Sequence, residues 1–234
     1  MPKLSVVIPA YNEEKRLGPH LSPVIKYLDD NYPGYELIIV DDGSSDNTRQ
    51  TVERAIKNVP QAKIISYKPN KGKGYAIRQG VLTSSGSMVL FMDADLSTPL
   101  DQIPIILKYL EASDVVIGSR AIGKSVKKPA SLFRRTASVL FDQVKYILVG
   151  LREFKDTQCG FKAFNGQVAR KLFAQSKIDR FMFDAEILFL AKKEGMSIQE
   201  IPVVWADMPD SKVRFFEGVI SMFRDLVRIR LLHS

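Results

Sequence analysis

Cysteine is all but missing from this chain: Cys159 is the single one in 234 residues. That excludes an intrachain disulfide and any cluster of thiolate metal ligands, and suits Cys159 to a small core position. Histidine is nearly as rare, at positions 20 and 233 only. Two histidines leave little material for a histidine-based metal centre, and neither lies near the motifs below. Long apolar runs are also lacking. None approaches the roughly 20 residues of a transmembrane helix, and Met1-Pro2-Lys3 ahead of a short apolar strand is not built as a signal peptide. The expectation is a soluble chain, at most peripheral to a membrane, on its cytoplasmic face. With no repeats, no low-complexity segment and no evident linker, residues 1–234 read as one domain.

What is present is a chain with 45% hydrophobic residues, enough to bury a sizeable core and to exclude disorder. Its net charge of +8 is unevenly spread. Residues 1–117 carry 13 Lys and Arg against 14 Asp and Glu, whereas 118–234 carry 21 against 12. The basic half is suited to an anionic partner: phosphate, nucleic acid or an acidic membrane surface. Acidic clusters in the other half argue against nucleic acid.

Strands alternate with helices through residue 120. Apolar runs at 4–9, 35–40, 63–66, 89–92 and 114–118 read as strands, and helices are expected to about 30, to about 57 and to about 83. This pattern predicts a mostly parallel sheet with helices on both faces. Four strand-ends are polar: Pro9-Ala10-Tyr11-Asn12-Glu13, Asp41-Asp42-Gly43, Asp93-Ala94-Asp95 and Gly118-Ser119-Arg120. In an open α/β sheet the carboxyl ends share one edge, where ligands bind. Two carboxylates one residue apart at the end of a buried strand are costly without a compensating cation. A divalent ion held by Asp93, Asp95 and substrate phosphates meets that need.

Beyond Arg120 the chain turns basic. Arg134 and Arg135 stand near an expected helix start, where the dipole opposes them, so an anion ligand accounts for them better than local stability does. Helices are expected at about 167–175 and 184–194, and a last strand at 198–204. The segment 213–232 is amphipathic and basic, with Arg224, Arg228 and Arg230. It fits either a core cover or a membrane interface. Asp42, Asp46 and Thr48 are equally suited to capping and to ligation, and Lys71 and Lys73 to a solvated turn or an anion site. Phe181, Phe183 and Phe189 suit the core better than a sugar platform.

Together these motifs resemble the family 2 glycosyltransferases of the GT-A fold. The carriers are residues 7–13, 40–46, Asn70-Lys71-Gly72-Lys73-Gly74 and Asp93-Ala94-Asp95. Gly118-Ser119-Arg120, the arginine pair, Asp156-Thr157-Gln158-Cys159-Gly160-Phe161-Lys162 and Asp210-Ser211-Lys212 look most like dolichyl-phosphate hexose synthases, of the β-glucosyl rather than the mannosyl type. The Gln-x-x-Arg-Trp motif of processive polysaccharide synthases is absent, since the sole tryptophan stands in Val-Val-Trp205-Ala.

The resemblance implies a Rossmann-like, mostly parallel sheet flanked by helices, with a C-terminal amphipathic helix. It implies inverting transfer of a hexose from a nucleotide sugar, UDP-glucose ahead of GDP-mannose, to a polyprenyl (dolichyl) phosphate, with Mg²⁺ or Mn²⁺. Residues 1–120 would form the nucleotide-sugar half and 121–234 the acceptor half. Pro9, Ala10, Tyr11, Glu13 and Val40 would border the nucleotide, and Asp41 would read the base edge. Lys73, Ala94 and Lys212 would lie along the diphosphate. Asp95, Arg120, Arg134 (or Arg135) and Asp156 would serve the reaction itself.

Overall fold

The computed structural model describes residues 3–122, 125–126, 145–206 and 215–233. The first strands are β1 (Leu4–Ala10), β2 (Glu36–Asp41), β3 (Ala62–Ser66), β4 (Met88–Met92) and β5 (Val115–Ser119). A two-residue β6 (Ser125–Val126), β7 (Phe161–Asn165), β8 (Ile198–Pro202) and β9 (Trp205–Ala206) follow. Seven of them make one sheet in the order β3-β2-β1-β4-β7-β5-β8, and β6 pairs with β9 apart from it.

The helices are α1 (Glu14–Asn31), α2 (Thr48–Ile56), α3 (Lys73–Thr83) and α4 (Ile103–Leu110). After them come α5 (Gly166–Gln175), α6 (Phe183–Lys193) and α7 (Phe215–Leu232).

Strict alternation along the strands builds two cores. Val6, Ile8, Leu37, Ile39, Leu90 and Met92 face α1, α2 and α4 through Leu17, Leu21, Val52 and Ile106. Val7, Ile38, Val40, Val89 and Phe91 face the other way, onto α3, α5 and α6 through Ile77, Leu172, Phe173 and Phe183. Each such side chain, fully buried, contributes about 1.5–3 kcal/mol, so the sheet is a stiff platform for its edge.

The sheet is mostly parallel, as the alternation predicts, with one departure. Strand β7 runs antiparallel to both its neighbours, β4 and β5. Sequence reading leaves 161–165 without a strand because Lys162 interrupts the apolar run; in the fold that lysine is buried. Helix α4 is also unanticipated, being a short apolar segment whose start is a single 3₁₀ turn, Leu100–Gln102.

Helix α7 packs Leu226 and Ile229 into the second core and leaves Phe223, Leu231 and Leu232 exposed. Both sequence readings of this helix thus find residues to support them. Just past it, His233 Nε2 meets Glu186 Oε1 at 2.7 Å. Glu186, fully buried on α6, also accepts from the Lys177 and Ile178 amides at 2.8 and 2.9 Å. Among the described residues no helix is long and apolar enough to cross a membrane.

Candidate active site

The carboxyl ends of β1, β2, β4 and β5 share one edge of the sheet. Strand β7, being reversed, brings its amino end there too: Phe161 pairs with Met92. All four polar strand-ends and the 156–162 motif therefore open on the same rim.

The first two strand-ends are interlocked. Asn12 takes a left-handed backbone (φ 54°), which Asn tolerates better than most residues. Its Oδ1 accepts from the Ser45 amide at 2.8 Å, and its own amide donates to Ser44 Oγ at 2.9 Å. Glu13 donates its amide to Thr48 Oγ1 (2.8 Å) and pairs its carboxylate with Arg16 Nε (2.8 Å). Tyr11 projects from this turn, 44% exposed. Asp41, almost wholly buried, accepts from the Ser44 amide and from Ser66 Oγ at 3.0 and 2.8 Å. The Val40 side chain points into the core.

Asp42 resolves as a turn residue. It accepts from Tyr67 Oη, Asn70 Nδ2 and the amides of Lys71 and Gly72, all within 2.7–2.9 Å. Burial and this carboxylate push the Tyr67 hydroxyl well above its ordinary value. Asp46 likewise accepts from the Thr48 amide at 3.0 Å, one residue ahead of Asn47, the N-cap of α2. The loop that Asp42 holds leads into α3 at Gly72 (φ 110°), where a Cβ would fall 2.5 Å from the Asp179 carbonyl. Only glycine fits there, and it delivers Lys73 to the rim.

Lys73 Nζ lies 2.5 Å from Asp93 Oδ1. Burial works against the ammonium, but Asp93 and then Asp184 outweigh it and raise Lys73 above the usual lysine range. Asp95 Oδ1 accepts from the Ser97 amide at 3.0 Å, and Arg16 Nη1 stands 3.8 Å from its other oxygen. Ala94 between them is buried. Two adjacent carboxylates on a rigid strand-end are hard oxygen donors suited to Mg²⁺ or Mn²⁺. Among the described residues no group of three or more His, Cys, Asp or Glu could hold an ion alone. Asp93 and Asp95 would supply two oxygen ligands to a divalent ion, with water and phosphate oxygens completing its shell.

Across the rim, Arg120 and Asp156 form a fork: Nε to Oδ2 at 2.6 Å and Nη2 to Oδ1 at 2.8 Å. The Arg120 amide adds a third bond at 2.9 Å. Burial alone would raise the Asp156 carboxyl, yet the guanidinium and amide of Arg120 bring it down to about 2. The guanidinium carbon also lies 5.6 Å from the centre of the Trp205 ring, a cation–π contact that sequence reading missed. Asp156 itself is held by its amide donating to Glu200 Oε1 at 2.8 Å. Phe183 and Phe189 are core residues, whereas Phe181 in the turn before α6 is exposed. Arg134, Arg135, Ser211 and Lys212 lie outside the described residues.

A Rossmann-like mixed sheet with strand-end carboxylates on one rim is the arrangement expected of the GT-A fold. The pattern of glycosyl transferase family 2 matches residues 5–173, and the chain belongs to that family. It is 37% identical over 241 residues to dolichyl-phosphate beta-glucosyltransferase of Dictyostelium discoideum, covering 97% of this chain and 73% of that protein. Against the enzyme of the same name from Saccharomyces cerevisiae it is 37% identical over 250 residues, with 98% and 75% covered. The human one is 34% identical over 244 residues, again with 98% and 75% covered. Glucosyl-3-phosphoglycerate synthase from Mycobacterium tuberculosis, solved with Mn²⁺ and UDP, shares the fold at TM-score 0.68 and 20% identity, over 98% of this chain and 79% of that one.

Proposed function

We propose that this glycosyltransferase transfers glucose from UDP-glucose to dolichyl phosphate, with inversion, giving a β-linked dolichyl-phosphate glucose. The observation that carries the reading is the near-complete, 34–37% identity to enzymes named for that reaction. The rim supports it. Pro9, Ala10, Tyr11, Glu13 and Asp41 border the nucleotide, with Tyr11 exposed beside the base and Asp41 at its polar edge. Asp93 and Asp95 hold the divalent ion, and Lys73 shares the diphosphate charge. A bound ion there would stabilise negative charge gathering on the departing diphosphate.

The remaining work falls to this chain's own residues. A phosphate monoester has its second pKa near 6, so the acceptor is a ready nucleophile at pH 7 and needs no strong general base. Arg120 meets the acceptor phosphate, and Asp156 holds the guanidinium plane in place while it does so. Attack on the face opposite the diphosphate inverts the anomeric carbon. Arg134 or Arg135 and Lys212 complete the acceptor and donor sides in the same proposal. One sheet carries both halves, since β7 and β8 lie beside β5, which supports a single domain.

A donor panel tests the reading. UDP-glucose, GDP-mannose and UDP-N-acetylglucosamine, each radiolabelled, are offered with a short polyprenyl phosphate and Mn²⁺. Label is expected in the lipid phase from UDP-glucose, and lost with EDTA. Label from GDP-mannose instead would reassign the donor; label from none would remove the lipid acceptor.

The enzyme is further proposed to work at the cytoplasmic face of a membrane as a peripheral protein. Exposed Phe223, Leu231 and Leu232 on α7 stand among exposed Arg224, Arg228 and Arg230, a mixture suited to anionic headgroups. Co-sedimentation with vesicles containing anionic lipid is expected, falling as salt rises. Equal recovery with neutral vesicles would count against the role of the arginines.

A further inference from the structure

Beneath Lys73 and Asp93 lies a second ion pair that the proposed reaction does not use. Lys162 is the second residue of β7, opposite Phe91 of β4 on one side and Ile117 of β5 on the other. Its side chain is 1% exposed and that of its partner Asp184, in the first turn of α6, is 5% exposed. The ammonium donates to Asp184 Oδ1 and to the Cys159 carbonyl, both at 2.5 Å, and lies 5.4 Å from the centre of the Phe91 ring. Burial pushes the Asp184 carboxyl up, against the pull of Lys162 and then Lys73.

For stability this is a poor device. A well-packed apolar pair of similar volume is generally as good or better, because desolvating two charges cancels most of their attraction. Its neighbours give it another use. The Cys159 carbonyl belongs to the peptide that leads into Gly160, and Gly160 lies so close on the Asp93 carboxylate that a Cβ would fall 2.0 Å from Oδ2. On the other side, Gly74, next to Lys73, packs so closely on Phe183, next to Asp184, that a Cβ would fall 2.6 Å from the Phe183 Cβ. The buried pair thus reaches both members of the rim pair: one through a peptide turn, the other through the close packing of α6 on α3.

We infer that Lys162 and Asp184 are positioning residues, which set the Cys159–Gly160 turn and the Lys73 ammonium so that Asp93 is aimed at the donor diphosphate and its divalent ion. This rests on the proposed role of Asp93 at that site. Partners that orient ligating carboxylates typically control about 10–100-fold in affinity or activity.

The experiment is calorimetric binding of UDP with Mn²⁺, read beside Tm. Three variants are compared: the double change Lys162→Met with Asp184→Leu, the single change Asp93→Asn, and Leu172→Ala as a core truncation on α5. The double variant is expected to keep a Tm at or above wild type and to lose about 10–100-fold in affinity. Leu172→Ala is expected to lose Tm and keep its affinity, so that lowered stability alone does not move the readout.

Wild-type affinity in the double variant, with loss in Asp93→Asn, overturns the positioning role and leaves the site reading intact. Wild-type affinity in Asp93→Asn removes the site reading and the inference with it. Should the double variant not fold, Asp184→Glu decides, since it keeps both charges and moves the carboxylate by one methylene. Weakened binding at unchanged Tm upholds the inference, and unchanged binding overturns it.

Discussion

Asp95→Ala is expected to lower kcat/KM for hexosyl transfer about 10²–10³-fold, the usual effect of removing one preorganised charge-stabilising group, with little change in Tm. The two carboxylates of the motif differ in what else they do. Asp93 is bound to Lys73 at 2.5 Å, so removing it also strands a half-buried ammonium and mixes a folding cost into the kinetics. Asp95 makes a hydrogen bond to the Ser97 amide and only a long contact of 3.8 Å to Arg16. Its loss therefore isolates the ion-binding role. The check is label transfer from UDP-glucose across a Mn²⁺ titration, with Tm measured on the same sample. A variant that keeps wild-type transfer and wild-type Mn²⁺ dependence would remove Asp95 from the site.

Arg120→Lys is expected to cost about 10²-fold in kcat/KM, or about 2.7 kcal/mol at 1.36 kcal/mol per tenfold. Lysine keeps the charge but cannot reproduce the two parallel bonds of the fork. It also leaves Asp156 under-bonded, so stability falls as well. The pH response separates the two effects. Asp156 titrates near 2 in the folded protein and in the usual aspartate range, near 3.9, when unfolded. A depressed carboxyl adds stability that is fully present above about pH 4 and disappears as the pH falls toward 2, here about 3 kcal/mol. Thermal melts of the wild type should lose this component between those limits, and melts of Asp156→Asn should not show it. Parallel acid profiles for the two proteins would mean that the fork contributes nothing to folding.

The rim was legible in sequence because its residues sit at the ends of apolar runs. Leu37 to Val40 running into Asp41, and Val89 to Met92 running into Asp93, each announce a buried strand and then break polarity at one point. Val40 shows the limit of that approach, since membership of a motif does not say which way a side chain points. The interior charges were not legible. Lys162 in a central strand and Asp184 and Glu186 in the stretch of α6 buried from Phe183 to Ala191 violate the apolar pattern that reveals buried elements. Only three-dimensional pairing accounts for them, and the same lysine hid β7. The contact between Arg120 and Trp205 joins residues too far apart in the chain for any local pattern to reveal.

The reversed strand has a consequence for how such a chain can diversify. The polypeptide leaves the rim after Ser119 and re-enters it at Phe161, one sheet position away. Everything between is an excursion that starts and finishes at the same address. Apart from Arg120, the buried Val149, Leu151 and Phe154, and the 156–160 turn, its length and sequence can drift without shifting the register of the seven-stranded sheet, because Ile117 and Lys162 still meet across the ladder. The segment proposed to meet the acceptor is thus a cartridge on a fixed donor platform, and an architecture of this kind can acquire new acceptors by exchanging one insert.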